Sequence, residues 1–196
     1  MFRKTIKKLF NTLGFQINKW PSPLPRNTIS RIHILAYSNI NKVLDIGANM
    51  GQYAQHMRSI GYTDKIISFE PLNKAFDILK ELSELDNKWD VHKHALGNKD
   101  EESTINISEN LWSSSILNIL PAHTNSAPSA KYIDTQKIEV KKIDSIFNTL
   151  YTQGDNILMK MDTQGFEKYV LEGAQNSLGK VNLLELEMSL VPLYED

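Results

Sequence analysis

Val43-Leu44-Asp45-Ile46-Gly47-Ala48-Asn49-Met50-Gly51-Gln52 is the stretch that sets the architecture of this 196-residue chain. The apolar run Val43–Ile46 reads as a buried strand that stops at Gly47. Gly51 then opens a helical pattern. Strand, glycine turn and helix in that order begin a nucleotide-binding βαβ unit. Gly47 suits a turn where φ is positive or a ligand presses on the backbone. Gly51 lets a helix N-terminus, with its free N–H groups, approach that ligand. Glu70, followed by Pro71, ends the run Lys65-Ile66-Ile67-Ser68-Phe69-Glu70, nineteen residues past Gly51. An acid at the end of the second strand is placed to grip ribose hydroxyls.

The turn departs from the dinucleotide fingerprint. Asn49 stands where the middle glycine would let the backbone reach a pyrophosphate. An Asp in the strand and an Asn in the turn suit a ligand with an amino-acid end and no phosphates. Asp45–Gly51 resembles the first motif of class I S-adenosylmethionine-dependent methyltransferases. The resemblance implies that cofactor, S-adenosyl-L-methionine, with contacts from Asp45, Gly47, Asn49, Gly51, Glu70 and Pro71.

Outward from this unit, strands and helices alternate. The spacing predicts strands at 42–46, 65–70 and 89–94, with helices at 51–60 and 73–85 between them. That pattern is an α/β fold with a doubly wound, mostly parallel sheet. After Gly97 the pattern changes. Residues 103–108 and 137–143 alternate like half-exposed strands that pair antiparallel. Glu109–Gln136 reads as a long loop of the lid or binding kind. Asp144 caps a short helix with Ile143 and Phe147 as its staple. A buried strand at 157–161, a helix at 166–178 and a last strand at 181–188 complete the chain.

Before Asp45 there is no acidic residue, and eight basic ones give a charge of +8 there against -9 in the remainder. Residues 1–40 form a basic helical segment and a Pro-rich linker, Pro21 to Pro25; residues 41–196 form the cofactor-binding domain. Phe2, Ile6, Leu9, Phe10 and Leu13 share one helix face, flanked by Arg3, Lys4, Lys7 and Lys8. Two readings stand: weak contact of residues 1–20 with an anionic membrane surface, or packing on the domain with a solvated basic face. A further helix at Thr28–Asn39 buries Ile29, Ile32, Leu35 and Ala36, with His33 structural. There is no cysteine. No apolar run approaches the roughly 20 residues of a spanning helix. A cytoplasmic location is expected. The acidic catalytic part disfavours a nucleic-acid partner.

The second strong signal is Lys160-Met161-Asp162-Thr163-Gln164-Gly165-Phe166-Glu167, followed by Val170-Leu171-Glu172-Gly173-Ala174. K-x-D-x-x-G-x-E before V-L-x-G-A is similar to the signature of FkbM-type methyltransferases. Ala95-Leu96-Gly97, the serines Ser113–Ser115 and Ile143-Asp144 keep that family's order. The likeness runs from Val43 to Asp196. It implies O-methylation of a hydroxyl on a sugar, glycan or natural product. It also places His94, Ala95 and Leu96 where methyltransferases contact adenine; His94 is equally readable as a plain strand end.

Ligands of open α/β sheets bind outside the carboxyl ends of the strands. The protein must align the acceptor oxygen and remove its proton. Asp162 is the candidate base, also beside the cofactor. Lys160, two residues earlier, points into the same crevice to tune Asp162 or polarise the acceptor. Glu187 is the alternative base. A structural ion pair is an equal reading for Lys160 and Glu187. Glu167 caps the following helix. Two acids suffice for Mg²⁺ only with waters and substrate oxygens, and no metal is assigned. The competing functions are a non-catalytic cofactor-binding scaffold and a nucleotide-binding oxidoreductase. The chain ends without the last two strands of its fold class. Either it continues past Asp196, or the edge at 181–187 is covered, as in a homodimer.

Overall fold

The computed structural model describes residues 26–195. The predicted basic helix and the Pro21–Pro25 linker lie outside them. The chain divides after Ala36 into two compact units, and the second, Tyr37–Asp196, carries every strand among the described residues. Helix α1 (Arg26–Tyr37) lies two residues earlier than predicted. Asn39, at φ 49, takes the left-handed conformation that ends helices. Leu35 is buried, while Ala36 is exposed.

The second unit is built on β1 (Lys42–Ile46). Its neighbours are β2 (Lys65–Phe69) and β7 (Ile157–Met161), and the outer strands are β3 (Trp89–His92) and β8 (Val181–Leu186). The order is β3-β2-β1-β7-β8, and every pairing is parallel. All residues of β1 and β7 are buried, as central parallel strands require when both faces are covered. One face joins Leu44, Ile46, Ile67, Phe69, Met159 and Met161 to α5 (Ile143–Leu150) and α6 (Glu167–Glu172) in a single core. Residues of the other parity, Asp45, Ser68 and Lys160 among them, face the opposite way. That side meets α2 (Gln52–Ser59), whose Ala54 and Met57 are fully buried.

The two alternating segments do pair antiparallel, as β5 (Glu101–Ser108) and β6 (Tyr132–Lys141). They form a second sheet, completed by β4 (Ala95–Leu96) in the order β4-β6-β5. Ile105, Ile138 and Val140 of this sheet pack with Leu72 and with Ala75 of α3 (Asn73–Ser83).

Three departures from the sequence reading have local causes. The third strand stops at His92, because Ala95 and Leu96 leave the main sheet to pair with Val140 and Lys141. The 109–136 segment is not bare: it holds α4 (Pro121–Ser126), a 3₁₀ turn at Pro128–Ala130, and the first residues of β6. The helix predicted over 166–178 ends at Glu172. Asp144 draws the chain off the helical path there. It does not cap its own helix; its carboxylate accepts the N–H groups of Asn176 (3.1 Å) and Ser177 (2.9 Å), while its own N–H donates to the Gly173 carbonyl (2.9 Å). No strand follows β8 among the described residues, and Leu184 and Leu186 on that edge are exposed.

Gly47 marks the tightest backbone approach at the glycine turn after β1. It lies at φ +75, and a Cβ there would sit 1.9 Å from the Asp162 carbonyl oxygen. Gly61 has a similar φ of +96 with nothing within 4 Å. Gly61→Ala is therefore expected to cost only the left-handed penalty, about 1–2 kcal/mol. Gly47→Ala adds a backbone clash and should cost about 4 kcal/mol or more. Urea denaturation of the two variants checks the difference; equal losses would contradict it.

Candidate active site

The turn after β1 is held from both sides. Gly47 and Ala48 donate to the Phe69 carbonyl at 3.1 and 3.0 Å, and Gly51 donates to Ala48 at 2.9 Å. Asn49 adopts φ 48, a conformation Asn tolerates better than most residues. Its Oδ1 accepts the Met50 N–H at 2.9 Å. Glu70 is buried and accepts the N–H groups of Asn49 and Leu72, one on each oxygen, both at 2.8 Å. It therefore ties the glycine turn to the start of α3. Burial pushes its carboxyl up to about 7, against those two donors. The Pro71 carbonyl accepts from Gln136 Nε2 at 2.9 Å.

One face of the sheet carries a polar row across four strands. Register sets Ser68, Asp45, Lys160 and Glu185 side by side. Lys160 Nζ lies 3.0 Å from Asp45 Oδ1, and Ser68 Oγ donates to Asp45 Oδ2 at 3.2 Å. Trp89 Nε1 donates to Ser68 in turn, at 2.9 Å. Lys160 also donates to the Gly47 carbonyl at 3.1 Å and lies 5.3 Å from the ring centre of Tyr53. Tyr53 of α2 closes the row by donating to Glu185 at 2.8 Å. Burial works against the Lys160 charge, but Asp45 and then Asp162 outweigh it and hold the ammonium above its ordinary pKa. Asp45 is fully buried in this row, so its place is that of a counter-ion to Lys160.

Asp162 begins the loop after β7, its N–H on the Ile46 carbonyl at 3.0 Å. Its Oδ2 is 3.8 Å from Lys160 Nζ, and its Oδ1 accepts from Gln164 Nε2 at 2.7 Å. Glu187, just past β8, meets the same carboxyl. The Asp162 charge, then burial and their shared hydrogen bond, raise the Glu187 pKa, with Lys160 opposing. Glu167 does not cap α6, whose first turn has no side-chain cap; its carboxylate instead accepts the Thr163 N–H at 2.7 Å and holds the loop before the helix. His94 is buried between Phe69 (5.4 Å between ring centres) and His92 (5.8 Å), and its Nε2 has no partner among the described residues. Burial first, then Lys141 and His92, lower its pKa to about 4. Leu96 points into the main core, and Ala95 packs against the second-sheet cluster.

The structure thus brings Gly47, Lys160, Asp162 and Glu187 to one place at the strand ends, with Asn49 and Glu70 adjoining. His94 joins through Phe69, whose strand leads directly to Glu70. Sequence reasoning missed Tyr53 and Tyr194, and named Ser115 only within the Ser113–Ser115 cluster. Tyr194 donates to Gln164 Oε1 at 2.7 Å, and Ser115 Oγ donates to the Gln164 carbonyl at 2.7 Å. No motif flags Tyr53 or Tyr194.

The model of the methyltransferase FkbM domain matches residues 45–196. A crystal structure of a methyltransferase FkbM from Methylobacillus flagellatus KT is similar at 17% identity and a TM-score of 0.49, covering 76% of this chain and 32% of that one. A protein proposed to be an RNA methyltransferase of Pyrococcus horikoshii matches at 30% identity and a TM-score of 0.26, over 36% of this chain and 38% of its own. This chain therefore spans about a third of the length of these solved relatives. No curated protein matches it.

Two outcomes follow from the buried groups. Lys160→Met leaves Asp45 as an uncompensated buried charge, and should cost about 3–5 kcal/mol. Adding Asp45→Leu should return part of that loss in chemical denaturation. For His94, the folded chain takes up a proton only near 4, whereas the unfolded chain does so near 6.5. The unfolded state then binds more protons between those values, so stability should fall as pH drops through that window. His94→Phe should flatten the fall, measured as Tm against pH.

Proposed function

The chain belongs to the FkbM methyltransferase family, and on that premise we propose that it is an S-adenosylmethionine-dependent O-methyltransferase acting on a hydroxyl of a sugar, glycan or natural product. The observation that carries this reading is the meeting of the glycine turn with the Asp162 loop. Gly47 has no side chain exactly where one would strike the Asp162 carbonyl, at 1.9 Å. Cofactor turn and candidate base are therefore one site.

The residues present fit the cofactor. His94 Nε2 is a buried polar atom without a partner among the described residues, and the imidazole is neutral at physiological pH. Glu70 keeps lone pairs beyond its two backbone bonds, since a carboxylate has about four acceptor positions. Asn49 and Gly51, both at positive φ, turn the backbone without a bulky side chain at the helix start. His94, Ala95 and Leu96 would flank the adenine, Glu70 and Pro71 the ribose, and Gly47–Gly51 the amino-acid end. When bound, the group supplies a methyl already activated on a sulfonium.

The chain's own residues then have two tasks. They hold the acceptor oxygen in line, and Asp162 takes its proton. Lys160 stands 3.8 Å away, fixing the charge balance of that carboxyl while tethered to Asp45 and Gly47. Glu187, whose pKa the Asp162 charge and burial raise, stands beside it as the alternative base.

Calorimetry should detect S-adenosylmethionine binding to the wild type. Glu70→Ala should weaken it by roughly 10- to 100-fold, the loss of a charged hydrogen bond. Binding of NAD in its place would favour the oxidoreductase reading. Asp162→Asn should keep most cofactor affinity and lower methyl transfer, on a panel of glycan hydroxyls, by about 10² to 10⁴. Cofactor binding with no transfer to any acceptor would favour the scaffold.

A further inference from the structure

The loop after Asp162 carries a hydrogen-bond chain that the methyl-transfer reading leaves unused. Gln164 Nε2 donates to Asp162 Oδ1 at 2.7 Å. Gln164 Oε1 accepts from the Tyr194 hydroxyl at 2.7 Å. The same hydroxyl lies 3.2 Å from the Ser113 carbonyl oxygen. A phenol has one proton and faces two acceptors, so it serves one of them fully at a time.

The backbone around this chain is fixed. Gln164 sits at φ 56, and Ser115 Oγ holds its carbonyl at 2.7 Å. Gly165 has no Cβ, and one built there would lie 2.9 Å from Tyr194 Cβ, so the tyrosine is packed directly on the loop. Tyr194 is itself buried and pinned edge-on against His123, with ring centres 5.2 Å apart. What is free to change is the Gln164 amide, whose two ends exchange places by a half-turn.

We propose that Tyr194 and Gln164 form a relay with two hydrogen-bond orders, one for each protonation state of Asp162, making Tyr194 a positioning residue for that carboxyl. In the first order Asp162 is a carboxylate. It accepts from the Gln164 amide, and Tyr194 donates to the amide oxygen. In the second order Asp162 carries a proton and donates it to the turned amide oxygen. The amide N–H₂ group then donates to the Tyr194 oxygen, and the phenol proton swings to the Ser113 carbonyl. The two orders use the same heavy atoms and differ by the one proton on Asp162. In the first order the Ser113 carbonyl is left with the long 3.2 Å contact, and in the second it takes the phenol proton, while Asp162, the amide and the phenol oxygen keep partners in both. A base that must take up a proton in a half-buried site gains from such a network. This relay rests on the assignment of Asp162 as the base.

Other groups face the same carboxyl. Lys160 Nζ lies 3.8 Å from the far oxygen. The Asp162 charge acts first on Glu187 and raises its pKa, so the two carboxyls feel each other. Glu167 is occupied by Thr163 at 2.7 Å. The test must separate these from Asp162.

Nuclear magnetic resonance on the full chain does so without an acceptor. The Gln164 side-chain N–H₂ and the Tyr194 ring carbon bearing oxygen are followed as pH falls from about 8 through the carboxylate range. Both signals should shift together with one midpoint. Glu187→Gln should keep the joint shift, and Asp162→Asn should abolish it. Gln164→Met should cut the Tyr194 response to the weaker through-space effect of the Asp162 charge, because the hydrogen-bond path runs through the amide. Signals that stay still, that move with separate midpoints, or that survive Asp162→Asn overturn the relay, as does a Tyr194 shift that is undiminished in Gln164→Met. Turnover retained by Asp162→Asn would instead remove the base assignment, an outcome read independently.

Discussion

The buried contact between Lys160 and Asp45 is the constraint on which the rest of this structure depends. Both groups lie in the centre of a parallel sheet, at 3.0 Å, where an unpaired charge would be strongly destabilising. Neither strand can slip by one residue without stranding a charge against the opposite core. The pair thereby fixes the register of β1 on β7. The Lys160 ammonium also reaches the Gly47 carbonyl and the neighbourhood of Asp162. A single cation thus joins the sheet interior, the glycine turn and the candidate base.

From that register the site follows by geometry. Parallel strands of similar length end together, so the turn after β1, the acid after β2 and the loop after β7 share one rim. Close backbone contact then decides which residues are admitted there. Gly47 faces the Asp162 carbonyl, and Gly173 faces the Gly97 carbonyl, each where a Cβ would fall 1.9 Å from oxygen. The family's glycines are therefore packing requirements as much as turn formers.

The serine-rich segment and the last residues do a different job. Ile119 bridges to Tyr194, and Leu120 donates to the Leu193 carbonyl at 2.9 Å, so the two segments brace each other. Together they press Tyr194 and Ser115 onto the Gln164 loop. The segment that reads as a lid is, in its Ser113–Leu120 part, a buttress: Ser113, Ser114 and Ser115 are all buried.

The sequence by itself determined the α/β class, the alternation of strands and helices, the glycine turn and the acids at the strand ends. Those features repeat in local patterns, because a buried parallel strand must be continuously apolar and a tight turn must carry Gly or Asn. It also determined the family, through Lys160–Glu167 and Val170–Ala174. Tertiary structure alone decided which partner each polar group took. Asp45 and Lys160 lie 115 residues apart, Ser115 and Gln164 49 apart, and Tyr194 30 beyond Gln164. Nothing in local spacing encodes such pairs; they exist only once the sheet has set the strand ends side by side. The early end of the third strand and the shortened helix after Glu167 share that origin. In both places a long-range bond, to β6 or to Asp144, outcompeted a periodicity that was locally sound.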